Sequence, residues 1–174
     1  IARFIATGNY VYFSVDLSGG YQMWRSDGTE AGTILLKDFG NNAPLFQRAA
    51  IGNTVFFNAT ESATGSELWK SDGTVAGTVV LKDINPGTAS SSPANMKNIN
   101  GVLFFCALTS TGTGLWKSDG TEAGTVLIKD LDPLSNGFAL NDLMTAAGSK
   151  AFFSFETAAT GRELWVSDGT DAGT

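Results

Sequence analysis

The sequence contains no histidine and one cysteine, Cys106, among its 174 residues. Without histidine the chain can form neither a Ser–His–Asp nor a Cys–His catalytic arrangement, and it has no imidazole ligand for a metal ion. A single cysteine can form no disulfide within the chain and no structural zinc site. These absences exclude several common classes of hydrolase and of metal-binding domain.

Positive charge and long apolar runs are also scarce. Eleven Lys and Arg stand against 17 Asp and Glu, giving a formal net charge of −6, which disfavours binding to nucleic-acid phosphates. The longest apolar run, 102–108, has seven residues, far short of the roughly 20 that a membrane-spanning helix needs. We therefore expect neither a nucleic-acid partner nor a membrane span.

The residues that are abundant recur in a fourfold repeat. Each unit contains a motif with the sequence Trp-x-Ser-Asp-Gly-Thr-x-x-Gly-Thr, and a segment ending in two aromatic residues precedes its Trp by about ten residues. The four tryptophans are separated by 45, 47 and 49 residues: Trp24, Trp69, Trp116 and Trp165. A period of about 40–50 residues is typical of stacked repeat architectures.

Each unit is predicted to form four short strands separated by Gly- and Asn-containing turns. Adjacent apolar pairs such as Phe56-Phe57 and Leu68-Trp69 place apolar side chains on both faces of a strand, so both faces of each sheet must be covered. We therefore predict an all-β fold, a β-propeller of four-stranded antiparallel blades. The predicted blades are 1–41, 42–86, 87–133 and 134–174, in one repeat domain.

The fourth repeat reaches Thr174 where its fourth strand is expected to begin, so the last blade is predicted to lack that strand. Two explanations stay open: the chain is part of a larger propeller, or a second chain completes it. Unpaired strands and uncovered apolar faces favour self-association in either case.

The two ends of the predicted blades differ in how uniform they are. Turns between the first and second strands, and the Ser-Asp-Gly-Thr turns, are similar in every unit, whereas the other connections diverge. Divergent loops on a rigid scaffold are typical of recognition sites, so a protein or glycan ligand is expected there. The candidate binding residues in these loops are Asn85, Ser91, Pro133, Asn136 and Arg162.

Four repeated aspartates raise the alternative of a calcium site: Asp27, Asp72, Asp119 and Asp168. Calcium needs six to eight oxygen ligands, and no Asp-x-Asp-x-Asp-Gly spacing is present. Asp followed by Gly is the ordinary chemistry of a tight turn. A structural turn is the favoured interpretation, and no cofactor is expected.

Other aromatic and reactive residues have a structural interpretation beside a functional one. The tryptophans suit either core packing, which their uniform placement favours, or stacking on a sugar. Cys106 replaces Ser14, Asn58 and Ser154 of the other units, which predicts an unreactive, half-buried thiol. Asn58 also begins a formal glycosylation sequon.

The Trp-centred motif resembles the ELWxxDGT repeat of large secreted or surface-anchored bacterial proteins. The closest copy is ELWKSDGTVAGTVVLKDINPG at 67–87, and the units at Gln22 and Gly114 lack the leading Glu. The resemblance implies a propeller-like β-architecture and an extracellular or envelope location. It implies no catalytic activity and carries over no functional residues.

The sequence therefore favours a non-catalytic extracellular propeller module for protein or glycan binding or scaffolding. The alternative is a structural subunit that completes a propeller with another chain or with further sequence. A carbohydrate-active enzyme is the least favoured hypothesis, because no pair of carboxylates at a defined separation is evident.

Overall fold

The computed structural model describes residues 4–17, 20–41, 47–132, 144–157 and 159–174. Within these ranges the chain consists of β-strands, turns and irregular connections, without helix, which confirms the all-β prediction. Accordingly, the described residues include no helix long and apolar enough to cross a bilayer.

The strands form four separate sheets. Sheet 1 contains β1 (Phe4–Ala6), β2 (Val11–Leu17), β3 (Gly20–Ser26) and β4 (Ile34–Asp38). Sheet 2 contains β5 (Arg48–Ile51), β6 (Thr54–Glu61), β7 (Gly65–Ser71) and β8 (Val79–Lys82). Sheet 3 contains β9 (Ala94–Ile99), β10 (Val102–Thr109), β11 (Gly112–Ser118) and β12 (Val126–Asp132). Sheet 4 contains β13 (Thr145–Ala147), β14 (Lys150–Thr157) and β15 (Gly161–Ser167).

Every sheet is an antiparallel meander in which strands adjacent in sequence are adjacent in space. Sheets 1 to 3 have four strands each, and sheet 4 has three in the described part of the chain. The predicted four-stranded blades, with a last blade lacking its fourth strand, are thus confirmed. In sheets 1 to 3 the pairing of the third and fourth strands shifts register beside the tryptophan, for example between Leu68 and Trp69.

The sheets stack on one another around their first strands. β1 contacts β5, β5 contacts β9, and β9 contacts β13, so the first strand of each sheet lies innermost. In sheet 2, the front face carries Phe57 and Trp69 and packs on sheet 1, whereas the back face carries Phe56 and Leu68 and packs on sheet 3. The same two faces recur in the other sheets.

Three apolar clusters fill the junctions between consecutive sheets. At the junction of sheets 1 and 2, Tyr12, Met23, Leu36 and Phe39 meet Val55, Phe57, Ala59 and Trp69. Equivalent clusters join sheet 2 to sheet 3 and sheet 3 to sheet 4. Because each inner sheet buries both faces, the adjacent apolar pairs of the sequence are explained.

Candidate functional site

Because each sheet is a meander, the connections between its strands lie at two opposite ends of the sheet. The turn face carries the turns between first and second strands and the Ser-Asp-Gly-Thr turns between third and fourth strands. The loop face carries the connections between second and third strands and those leading to the next sheet. Of the candidate binding residues, Asn85, Ser91 and Arg162 lie on the loop face, and the four candidate calcium aspartates lie on the turn face.

The Ser-Asp-Gly-Thr turns are closed by one hydrogen-bond network that recurs in all four sheets. In sheet 2, Oδ1 of Asp72 accepts hydrogen bonds from N (2.8 Å) and Oγ1 (2.7 Å) of Thr74. Oγ1 of Thr74 in turn accepts from N of Gly77 at 2.9 Å. Each Thr hydroxyl therefore both donates and accepts within the turn, and one carboxylate oxygen of the Asp is used twice.

The same network fixes the direction of the remaining hydroxyl protons. Oγ1 of Thr78 donates to the carbonyl of Thr74 at 2.7 Å. Ser71 must therefore be the donor in its 2.7 Å contact with Oγ1 of Thr78, and Oγ of Ser71 accepts from N of Gly73 at 3.2 Å. The hydroxyl groups of the motif thus find their hydrogen-bond partners within the turn.

Both glycines of the motif are required by this geometry. The first has positive φ in every copy, 92° at Gly73, which other residues adopt only with strain. The second lies against the Asp carboxylate, so a Cβ added at Gly77 would overlap the carboxylate of Asp72. The spacing of Asp and the second Gly in the sequence reflects this contact.

These turns define the environment of the four candidate calcium ligands. The hydrogen bond from the Thr hydroxyl, followed by the bond from the Thr backbone N–H, lowers the pKa of each carboxyl below its ordinary value: Asp27, Asp72, Asp119 and Asp168. Among the described residues, no three acidic or cysteine side chains lie close enough together to hold a metal ion. The geometry is that of a carboxylate-capped turn.

Lysines of one sheet reach the turn of the next. Nζ of Lys70 donates to the carbonyl of Gly120 (2.7 Å), and Nζ of Lys117 donates to that of Gly169 (2.8 Å). Lys-Asp pairs also recur in the fourth strand of sheets 1 to 3 or directly after it. Their lysines make contacts between sheets: Lys37 with Glu61 (2.7 Å), Lys82 with Glu122 (3.4 Å) and Lys129 with Asp171 (3.0 Å).

Two clefts on the turn face are lined by residues of the described part of the chain. The larger, about 510 Å³, lies between sheets 2 and 3 over Ile51 and Phe56, with Asp72 and Asp119 at its sides. The smaller, about 350 Å³, lies beside Tyr10 and Asp27 in sheet 1. The recognition site predicted from the sequence lies on the opposite face. The larger cleft was not predicted, because it forms where two sheets meet.

On the loop face, Glu67 fixes the connection 84–93 that leads from sheet 2 to sheet 3. This side chain has no solvent-exposed area. Oε1 accepts from N of Ser91 (2.9 Å), and Oε2 accepts from N of Ile84 (2.9 Å) and from Oγ of Ser91 (2.6 Å). Burial raises the pKa of the Glu67 carboxyl, against the lowering effect of these hydrogen bonds.

The candidate residues of this connection have different roles. Ser91 is fully buried, and its N–H and hydroxyl both bind Glu67, so it positions the loop and offers no contact to a ligand. Its carbonyl also accepts a hydrogen bond from N of Leu108 at 2.7 Å. Asn85 is half-buried, and the adjacent tip, residues 86–89, is exposed. The tip is therefore the accessible part of a connection held at both ends.

The other candidates lie farther along the chain. Arg162 is exposed at the start of β15 and pairs with Glu156, with 3.5 Å between Nη2 and Oε2. Pro133 and Asn136 lie outside the described residues. Among the described residues, Asn85 and Arg162 are thus candidates with accessible surface on the loop face.

Two of the four tryptophans, Trp69 and Trp116, are buried between sheets. Trp69 and Trp116 are 2% and 8% exposed and stack on Phe57 and Phe105 with ring centroids 6.3 Å apart. Their rings are therefore unavailable to a sugar. Trp24 is half-buried, and its Nε1 donates to Oε1 of Gln22 at 3.1 Å.

Two further side chains, of Cys106 and Tyr12, are enclosed by the sheets, and Asn58 is half-buried. Cys106 is 1% exposed, and burial raises the pKa of its thiol to about 12, so the thiolate that would react is suppressed. Tyr12 is fully buried, its hydroxyl donates to the carbonyl of Asn53 (3.3 Å), and burial raises its pKa to about 12. Asn58 lies within β6, where its side-chain oxygen accepts from N of Gln47 at 3.1 Å.

Comparison by sequence finds no relatives: no protein-family profile and no curated protein sequence matches the chain. Comparison by structure finds many, including puromycin hydrolase, TolB from Acinetobacter baumannii and the β-propeller domain of the Trilobed protease from Pyrococcus furiosus, which has an open velcro topology.

The structural matches cover nearly all of this chain. TM-scores are 0.65, 0.62 and 0.60, with 15%, 8% and 14% sequence identity over 97%, 99% and 97% of the chain. The chain spans only 27%, 42% and 52% of those proteins. At this level of identity the similarity concerns the fold alone, and the four sheets are blades of a β-propeller.

Proposed function

We propose that this chain is a non-catalytic propeller module of a secreted or surface-anchored bacterial protein, and that it binds a protein or a glycan through its loop face. The observation that carries the proposal is the connection 84–93. Glu67 and Ser91 hold its base inside the fold, while its tip at 86–89 is exposed. A preorganised loop on a rigid sheet loses little conformational freedom on binding.

The contacts of the turn face support a structural role for that face, distinct from the binding role proposed for the loop face. Its repeated hydroxyls and amides are satisfied within each turn, and its lysines and carbonyls join neighbouring sheets. The turn network recurs in all four sheets, and the lysine contacts recur at the junctions of sheet 2 with sheet 3 and of sheet 3 with sheet 4. The resemblance to the ELWxxDGT repeat supports an extracellular or envelope location.

The proposal is tested by binding of the intact chain to arrays of glycans and of bacterial surface proteins. Thr88→Arg changes the exposed tip, and we expect it to weaken binding to a captured ligand by about tenfold or more, equivalent to about 1.4 kcal/mol. Val75→Arg is the matched control, because Val75 is 61% exposed on the turn face. Binding that is lost with Val75→Arg and kept with Thr88→Arg would contradict the proposal.

A second candidate is an assembly role, in which the chain completes a propeller with another chain. The observation that favours it is the three-stranded sheet 4, whose back face carries Leu164 at 77% exposure. A carbohydrate-active enzyme is the least supported candidate, and turnover of a polysaccharide by the intact chain would establish it.

A further inference from the structure

The back face of sheet 4 lacks the cover that the same face has in the other sheets. Leu164 occupies the position of Leu68 and Leu115, as its pairing with Ser154 in place of Asn58 and Cys106 shows. Leu68 and Leu115 are 0% exposed, whereas Leu164 is 77% exposed. Val166 beside it is 38% exposed, so the face is apolar and open.

The front face of sheet 1 is its counterpart. Phe13 pairs with Trp24 as Phe57 pairs with Trp69, but Phe13 and Trp24 are only half-buried. Val11 is 39% exposed, whereas the equivalent Val55 is 0% exposed. Phe4, opposite Phe13 on the neighbouring strand, is 67% exposed.

We propose that these two faces bind each other between two copies of this chain, the back face of sheet 4 in one copy packing on the front face of sheet 1 in the other. The chain contains three examples of this contact, since each junction joins a back face to the front face that follows. Both open faces carry residues of the types buried at those junctions. A head-to-tail contact of unlike faces closes into a ring when the rotation fits.

The size of the fold indicates that two copies close the ring. The chain matches 52% of the propeller domain of the Trilobed protease, so two copies supply about as much β-structure as that propeller contains. Each copy then contributes both of its open faces, and two equivalent junctions form.

The junction between copies has fewer polar contacts than the internal ones. Lys70 and Lys117 each donate to the turn of the following sheet, whereas Val166 stands at that position in sheet 4. The described part of sheet 4 also has no fourth strand. Pairing is therefore reversible on dilution. It is independent of the ligand of the loop face, so either proposal can fail alone.

The first test is sedimentation velocity of the 174-residue chain over a range of concentrations. We expect a species of twice the 18.2 kDa chain mass that dissociates on dilution. A monomer at every concentration, or polymers that grow without limit, would overturn the closed pair.

The second test separates a head-to-tail contact from a symmetric one. Leu164→Lys disables the back face of sheet 4, and Val11→Lys disables the front face of sheet 1. Each variant alone should be monomeric, whereas an equal mixture should form dimers through the one intact junction that it offers. Dimers of either single variant alone would overturn the proposal.

Controls keep these variants interpretable. Both positions are already exposed, so the variants are expected to keep the circular dichroism spectrum and unfolding midpoint of the parent chain. Val75→Lys, at a position 61% exposed on the turn face, should form the parent dimer.

Discussion

Glu67→Ala is expected to lower the free energy of unfolding by about 3–4 kcal/mol, because buried donors left without an acceptor cost about 1–3 kcal/mol each. The substitution removes the acceptor of Ser91 N, Ser91 Oγ and Ile84 N at once. It also releases the base of the connection between sheets 2 and 3. Urea denaturation at 25 °C measures the loss, and amide exchange at Ser91 and Leu108 reports the local release.

Glu163 provides the matched control, since it occupies the same position of the repeat in sheet 4 but is exposed. Glu163→Ala should change the free energy of unfolding by no more than about 0.5 kcal/mol. Equal effects of the two substitutions would show that the loop is not anchored through Glu67.

The cost of Glu67→Ala should also depend on pH. Since burial raises the pKa of Glu67 in the folded state above its ordinary value of 4.5, the folded chain binds this proton more tightly than the unfolded chain. The stabilisation from Glu67 is therefore fully present below pH 4.5 and declines as the pH rises through the folded pKa. The difference between parent and variant should shrink across that window, and a difference independent of pH would contradict the assignment.

Gly77→Ala is expected to destabilise the chain by about 1–3 kcal/mol, the usual cost of overpacking a closed site. The added Cβ would overlap the Asp72 carboxylate, which Thr74 holds in place through two hydrogen bonds. In an Asp72→Ala background the carboxylate is absent, so the same substitution should cost less than about 1 kcal/mol. A double-mutant cycle by urea denaturation measures this coupling.

Gly87→Ala is a control for loss of a glycine outside the motif. Gly87 has positive φ (94°) and open space around the position of its missing Cβ. Its substitution therefore carries backbone strain that Asp72→Ala should not relieve. Additive effects of Gly77→Ala and Asp72→Ala would contradict the contact between them.

The features that the sequence predicts correctly arise from contacts between neighbours in the chain. Side chains alternate between the two faces of a strand, and this pattern involves only a few consecutive residues. The same is true of the Gly-Asn turns and the Ser-Asp-Gly-Thr turns, and the repeat shows these features several times. The buried tryptophans follow from the same periodicity. That the described part of sheet 4 contains three strands was predicted by comparing the last repeat with the other three.

The features that were not predicted depend on residues far apart in sequence. Glu67 and Ser91 are 24 positions apart, and the repeat gives no indication of their contact, because Gln22 and Gly114 stand at the position of Glu67 in other units. Because the sequence does not indicate this contact, Ser91 was predicted to be a binding residue. The cleft over Phe56 forms between two sheets, so no single repeat contains it.

The central claim is that the turn face builds the propeller and the loop face recognises the ligand. A maleimide polymer attached to one face at a time tests this claim, because Cys106 is buried and unreactive. We expect a polymer attached at Thr88→Cys to abolish capture of the ligand found on the arrays, and a polymer at Val75→Cys to leave capture unchanged. Capture blocked at position 75 and retained at position 88 would contradict the claim.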